Sequence, residues 1–166
     1  MIARFASDRS GSPAAEFVLM LPIMLALLFG TFEAGHFFWT QHKIVKAVRD
    51  GARYASRLNI QDKLCNGATS IISTQTIQDI QNVTATGQLA AGGVSKVPGW
   101  AASNVQVTLN CASFVDTGIY TDLGGKGPLV TISSGNVDYP SLFMTLGFIN
   151  STVKMSAKSS AAVVGL

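Results

Sequence analysis

The chain has two histidines, His36 and His42, and both fall in or beside one long apolar run. A Ser/His/Asp arrangement or a histidine-ligated metal in the rest of the chain is therefore excluded, since each needs an imidazole within reach of its partners. Glu33 stands three residues before His36, so a helix puts the two on one face. An ionisable pair inside an apolar segment is a functional candidate, because charge is costly there unless it is partnered. The simpler reading places Glu33 near the outer end of the segment, in reach of His36 or of a basic partner, and no proton relay is inferred. Asp116 and Asp122 lie in a glycine-rich stretch and could share a calcium ion with carbonyl oxygens. Without the spacing of a calcium loop they read better as solvated turn residues. No phosphate-cradling glycine loop followed by Lys-Ser or Lys-Thr occurs. Cys65 and Cys111 are too far apart for a CxxC redox pair or a metal knuckle. Nothing in this set reads as an enzyme, and no metal or cofactor is expected.

The elements that carry these residues follow from charge and hydropathy. The chain has 166 residues, 48% apolar and only 13% charged, with a net charge of +3. That composition excludes a disordered chain, and the small net charge gives no support to nucleic-acid binding. Between Phe17 and Gln41 the ionisable side chains are Glu33 and His36 alone, and then Lys43, Lys46, Arg49, Arg53, Arg57 and Lys63 follow closely. A bilayer core about 30 Å thick needs about 20 helical residues, and Phe17 to Trp39 meets that, with Trp39 as an interfacial anchor. The alternative, a core helix buried in a soluble protein, is disfavoured because so small a domain cannot surround it. A cleaved secretory signal needs small residues at both −3 and −1 of its cut. Cuts after Gly30, Ala34 or Gly35 put Leu28, Phe32 or Glu33 at −3, so the segment is expected to stay on the protein.

A polar leader, Met1 to Gly11, precedes Ser12-Pro-Ala-Ala-Glu16. Pro13 suits a first helical turn, and a carboxylate at Glu16 suits the positive end of a helix dipole. Gly11, then four residues, then Glu16 and an apolar run with Pro22, resembles the processing site of type IV pilin-like subunits. The longer pattern Gly11…Ala15-Glu16-Phe17…Pro22…Gly30…Glu33, ending in Ala47-Val-Arg-Asp-Gly-Ala-Arg-Tyr-Ala55, resembles the TadE-like proteins, pseudopilins of the tight-adherence (Flp) pilus system. Phe17 departs from the Tyr often found after the Glu in that system. The resemblance covers about the first third of the chain. It implies cleavage between Gly11 and Ser12 by a membrane prepilin peptidase, and a new α-amino group at Ser12. Glu16 would then pair with such an amine, usually a neighbouring subunit's, since a carboxylate near the membrane interior needs a cationic partner. The implied partners are other pilin and pseudopilin subunits, the peptidase, the inner-membrane assembly platform and membrane lipid.

From Lys43 to Arg57 the helical pattern continues, with Val45, Val48, Ala52 and Ala55 on an apolar side and basic residues around another. Lys46 and Asp50 form an i, i+4 pair. Ala47, Gly51 and Ala55 repeat every four residues, a small-residue face that permits close helix approach, either to other subunits or to the chain's own domain. Counting Lys and Arg on the two flanks would put the C-terminal domain in the cytoplasm. The leader motif requires the reverse, and the specific motif outweighs the statistical bias. Cys65 and Cys111 in an exported domain favour a disulfide over two buried thiols, closing a loop of nearly fifty residues worth about 4 kcal/mol before strain.

Beyond the helix, Ser70 to Leu89 has apolar residues at helical spacing and predicts one weak helix or two. Gly92-Gly93 and Pro98-Gly99 mark a loop. Val105 to Cys111 alternates as a half-buried strand. Leu129 to Ile132 is a second strand, Pro140 to Ile149 a short apolar helix, and Thr152 to Val163 a final strand. The expected class is α+β: a leader over 1–11, a long helix over 12–60 with its membrane segment at about 17–39, and a periplasmic domain with a small antiparallel sheet over 61–166. The expected function is a minor pilin-like subunit in the bacterial inner membrane. The alternative is an unprocessed single-pass protein whose periplasmic domain binds a ligand or partner.

Overall fold

Ala, Leu, Met, Lys and Arg recur through residues 12–56, all good helix formers, and a single helix results. In the computed structural model, which describes residues 12–59, 65–66, 69–111, 128–147 and 153–164, α1 runs Ser12–Ser56 over 45 residues, about 67 Å at about 1.5 Å per residue. The helix tightens at its end, where Arg57 N–H donates to Tyr54 O and Leu58 N–H to Ala55 O. Its last carbonyls have no helical partner of their own, and Val164 N–H, from the far end of the described chain, supplies one by donating to Ser56 O at 2.8 Å.

Two short strands follow, β1 (Cys65–Asn66) and β2 (Thr69–Ser70), antiparallel with Cys65 opposite Ser70. Helix α2 (Thr74–Ala85) begins where Ser73 Oγ accepts from Thr76 N–H, a side-chain N-cap that satisfies one orphan donor. It ends at Gly87, whose φ of 85° lies in the left-handed region and whose N–H donates to Val83 O, a glycine C-terminal stop. The single helix resolves the choice between one and two elements over Ser70–Leu89. Thr86 to Trp100, with four glycines and Pro98, then turns back with no regular element.

A three-stranded antiparallel sheet forms from β3 (Gln106–Asn110), β4 (Leu129–Ser133) and β7 (Lys158–Ala162), with β4 central. The registers pair Val107 with Ile132 and Ile132 with Ser159, and Leu109 with Val130 and Val130 with Ala161. Strand side chains alternate between faces, so Val130 and Ile132, both fully buried, face inward. The outer face carries Thr108, Thr131 and Ser160, with the Thr131 and Ser160 hydroxyls 2.8 Å apart. A polar ladder on one face and an apolar one on the other is the pattern of a sheet packed on one side only. Strands β5 (Val137–Asp138) and β6 (Lys154–Met155) pair separately, and between them lies the one-turn helix α3 (Leu142–Thr145). Thr152–Val163 is thus two strands rather than one, and the described helix in Pro140–Ile149 is a single turn.

The core lies between the sheet, α2 and the C-terminal half of α1. Ile44, Ala47, Val48, Ala52 and Ala55 of α1 join Ile80 and Ala85 of α2, Val130 and Ile132 of β4, and Trp100 from the loop. Trp100 is fully enclosed, and its indole N–H donates to Ser134 O at 3.1 Å, as a buried indole requires. The architecture is α+β, a long apolar helix followed by a small domain with an antiparallel sheet.

Candidate functional site

The two halves of α1 meet different surroundings. From Phe17 to Phe32 every large apolar side chain is exposed, Leu19 at 76% and Leu27 at 66% among them. The helix is long and apolar enough to cross a membrane, and nothing in its most apolar window is buried within the chain. Such a surface is unfavourable in water by about 25 cal/mol per Å² of apolar area. Glu16 is exposed and stands beyond the first turn, which holds no acidic residue. Its placement therefore gives little to the dipole reading, which weakens past the first turn. Pro22 lies inside the helix, where its ring removes one intrahelical hydrogen bond. Gly30 has nothing within 4 Å of where a Cβ would sit. Pro22 and Gly30 thus have no packing partner within the described chain. Ser12 opens α1, and Gly11 lies outside the described residues.

The small-residue face of the upper half is already occupied. Ala47 and Ala55 are fully buried against the domain, and a Cβ added at Gly51 would overlap the Thr84 hydroxyl of α2. Close approach is used, but by the chain's own second helix. Of the two partners that the repeat of Ala47, Gly51 and Ala55 leaves open, other subunits or the chain's own domain, the own domain fills this face. Lys46, Arg49, Arg53 and Arg57 remain exposed on the other side. Asp50 turns not to Lys46 but to Lys96 of the loop, at 3.8 Å. Burial pushes the Lys96 ammonium below its usual value, Asp50 pulls it back, and Lys46 adds to the lowering.

At the join between the halves, Glu33 and His36 act together on a third residue. Tyr139, nearly enclosed, donates its hydroxyl proton to the Glu33 carbonyl oxygen at 3.1 Å. With that proton committed, the Tyr139 oxygen accepts from His36 Nδ1 at 3.0 Å, which sets the imidazole proton on Nδ1. The Glu33 carboxylate accepts from Leu142 N–H at 3.1 Å, while Ser141 Oγ accepts from Met144 N–H at 3.3 Å. Phe37 stacks edge-on against Tyr139, with ring centroids 5.2 Å apart. Burial first, and the neighbouring Glu33 second, push the Tyr139 phenol up to about 12. Glu33, through its backbone carbonyl and its carboxylate, and His36, through its ring, thus meet the same segment, Tyr139 to Leu142. The partner, Tyr139, was not legible, because nothing local ties it to a residue 103 positions earlier.

Above the join, Lys43 Nζ lies 3.5 Å from the centroid of the exposed Trp39 ring, a cation–π contact of the kind that suits a membrane–water boundary. Among the described residues, no three metal-ligating side chains come together. Cys111 is buried at the end of β3, and no described cysteine is free. Asp116 and Asp122 lie outside the described residues.

No curated protein and no solved structure matches this chain. Its recognisable segment is the one that carries the exposed helix: residues 11–53 match the family model described as TadE-like protein.

Proposed function

We propose that the chain is a minor, pilin-like subunit of a tight-adherence (Flp-type) pilus, a structural protein rather than an enzyme. One observation carries this reading: the TadE-like match spans residues 11–53, which takes in the whole outwardly apolar half of α1 and all but the last three residues of the helix. A helix whose own domain covers only its upper half is built to find other cover below, first lipid and then the helices of neighbouring subunits. Residues 1–11 are then a leader removed after Gly11 by a prepilin peptidase, α1 anchors the protein in the bacterial inner membrane, and the domain beyond it stands in the periplasm. Glu16, exposed one residue before the apolar run, is the register residue that pairs with an α-amino group at Ser12 of a neighbour. Pro22 and Gly30, on the uncovered half, are the packing positions left for assembly with pilin subunits and the membrane platform.

A disulfide between Cys65 and Cys111 belongs to the same reading, because an oxidising compartment sustains it. The burial of Cys111 and the lack of a free thiol among the described residues support it. Intact mass of the denatured protein with an alkylating agent, before and after reduction, gives two added labels only after reduction if the bridge exists.

The deciding experiment is the N-terminus of the protein from its native membranes, by intact mass and terminal sequencing. A start at Ser12 is expected. A start at Met1 with the peptidase present would refute the processing and leave a single-pass anchored protein.

A further inference from the structure

The one-turn helix α3 lies where a soluble domain has no reason to expose apolar side chains. Leu142 is 41% exposed and Leu146 65%, and together with Phe143 they flank an apolar cleft of about 310 Å³ whose other wall is Phe29 and Phe32 of α1. Phe29 and Phe32 belong to the uncovered half of the helix, so the surface of α3 continues that of the anchor. Its depth follows from the helix rise. Glu33 is six residues before Trp39, about 9 Å lower along the axis, and Trp39 with Lys43 against its ring marks the boundary. A hydrocarbon core of about 30 Å that starts at Phe17 reaches about twenty residues up the helix, which places Phe29 to Glu33 inside it.

A segment at that depth must satisfy its backbone polar groups without water. A single helical turn normally leaves its first N–H groups orphaned. Here Leu142 N–H donates to the Glu33 carboxylate and Met144 N–H to Ser141 Oγ. Thr145, Leu146 and Gly147 N–H groups donate to Ser141, Leu142 and Met144 carbonyls. The Thr145 hydroxyl also donates to Ser141 O. Glu33 thereby has a use for its carboxylate that needs no second subunit.

We infer that α3 is a membrane foot: the turn from Leu142 to Gly147 enters the outer part of the bilayer beside α1, packs among phospholipid acyl chains, and fixes the height and tilt of the domain on the membrane. This rests on the reading of α1 as a membrane anchor. The test is photocrosslinking of the full chain in vesicles of phosphatidylethanolamine and phosphatidylglycerol, with p-benzoylphenylalanine placed singly at Leu146, at Leu25 and at Val94, which is 89% exposed on the loop after α2. Intact mass then counts phospholipid adducts. Leu146 is expected to capture lipid to the same order as Leu25 and several-fold more than Val94. Capture at Leu25 with Leu146 no higher than Val94, or with Leu146 joined to a second protein chain, would overturn the foot and leave the anchor standing. Capture at neither Leu25 nor Leu146 would overturn the anchor, and the foot with it.

Discussion

The lower and upper halves of α1 are one unbroken helix, yet they solve opposite problems. Below Glu33 the side chains are large, apolar and exposed on every side. Above Thr40 the buried face narrows to Ile44, Ala47, Val48, Gly51, Ala52 and Ala55, while Lys46, Arg49 and Arg53 keep the other face in water. A helix apolar all round belongs in a lipid or bundle interior, and one with a single apolar stripe belongs on a domain. The difference shows that helix continuity is no guide to environment. Side-chain size contributes: small residues among Ile44 and Val48 let α2 and the sheet close on the upper half, whereas the bulky apolar side chains below stay exposed, with α3 reaching Phe29 and Phe32.

The comparison predicts that equal substitutions in the two halves have unequal effects on the domain. Ile44→Ala removes a fully buried side chain and should cost about 3 kcal/mol, whereas Leu27→Ala should leave domain unfolding unchanged. Near-ultraviolet circular dichroism of the detergent-solubilised protein in denaturant reads both. Equal losses would mean that the halves unfold as one body. Gly51→Ala comes next, at about 2 kcal/mol, because the new methyl meets the Thr84 hydroxyl in a tight helix pair that overpacking strains. Adding Thr84→Ala should recover part of the loss, a coupling that a double-mutant cycle measures. Gly30→Ala, with open space around it, should cost the domain nothing.

The parts of this architecture that were legible in the sequence are those with local causes. The uncharged run from Phe17 to Phe32 announces a span, and the alternation of Val105 to Cys111 and Leu129 to Ile132 announces strands that pair in the observed sheet. The class α+β followed from these. Long-range choices were not legible. The four-residue repeat of Ala47, Gly51 and Ala55 announces close packing but not its partner, and Thr84 carries no signal that it will fill that space. Asp50 has Lys46 at an ideal spacing and still turns to Lys96, because tertiary folding brings the loop to it. Strands β5 and β6 are two residues each, too short for any period to show. The Glu33–His36 face was readable from spacing, but its meaning depended on where Tyr139 and Leu142 arrive.

That join is where the two halves can be separated with a smaller perturbation. Tyr139→Phe keeps the ring against Phe37 and removes only the hydroxyl between Glu33 and His36. The loss should be about 1 kcal/mol, the usual net value of a hydrogen bond. It should also alter the pH dependence. The folded-state phenol, raised from 10.0 to about 12, holds its proton more tightly than the unfolded one. Its contribution is complete below pH 10 and is lost as the pH rises towards 12. The unfolding temperature of the parent should therefore fall more steeply across that window than that of Tyr139→Phe, and parallel curves would mean that the hydroxyl is not held at the join.

The smallest effect is expected from the Asp50–Lys96 ion pair, which ties the upper half to the loop. Asp50 and Lys96 are 3.8 Å apart, both partly exposed, and such pairs contribute about 0.5 kcal/mol or less. The Lys96 ammonium is lowered in spite of Asp50, so burial outweighs the attraction. A lysine whose folded value lies below its unfolded one opposes folding while charged, and that opposition fades as rising pH removes the proton. Asp50→Asn takes away the partial compensation, so the variant should lose little stability at neutral pH and gain more than the parent as the pH rises towards the usual lysine value. A loss above about 1.5 kcal/mol at neutral pH would exceed what a typical exposed pair supplies. It would show that the upper half is held by charge as well as by its small apolar face.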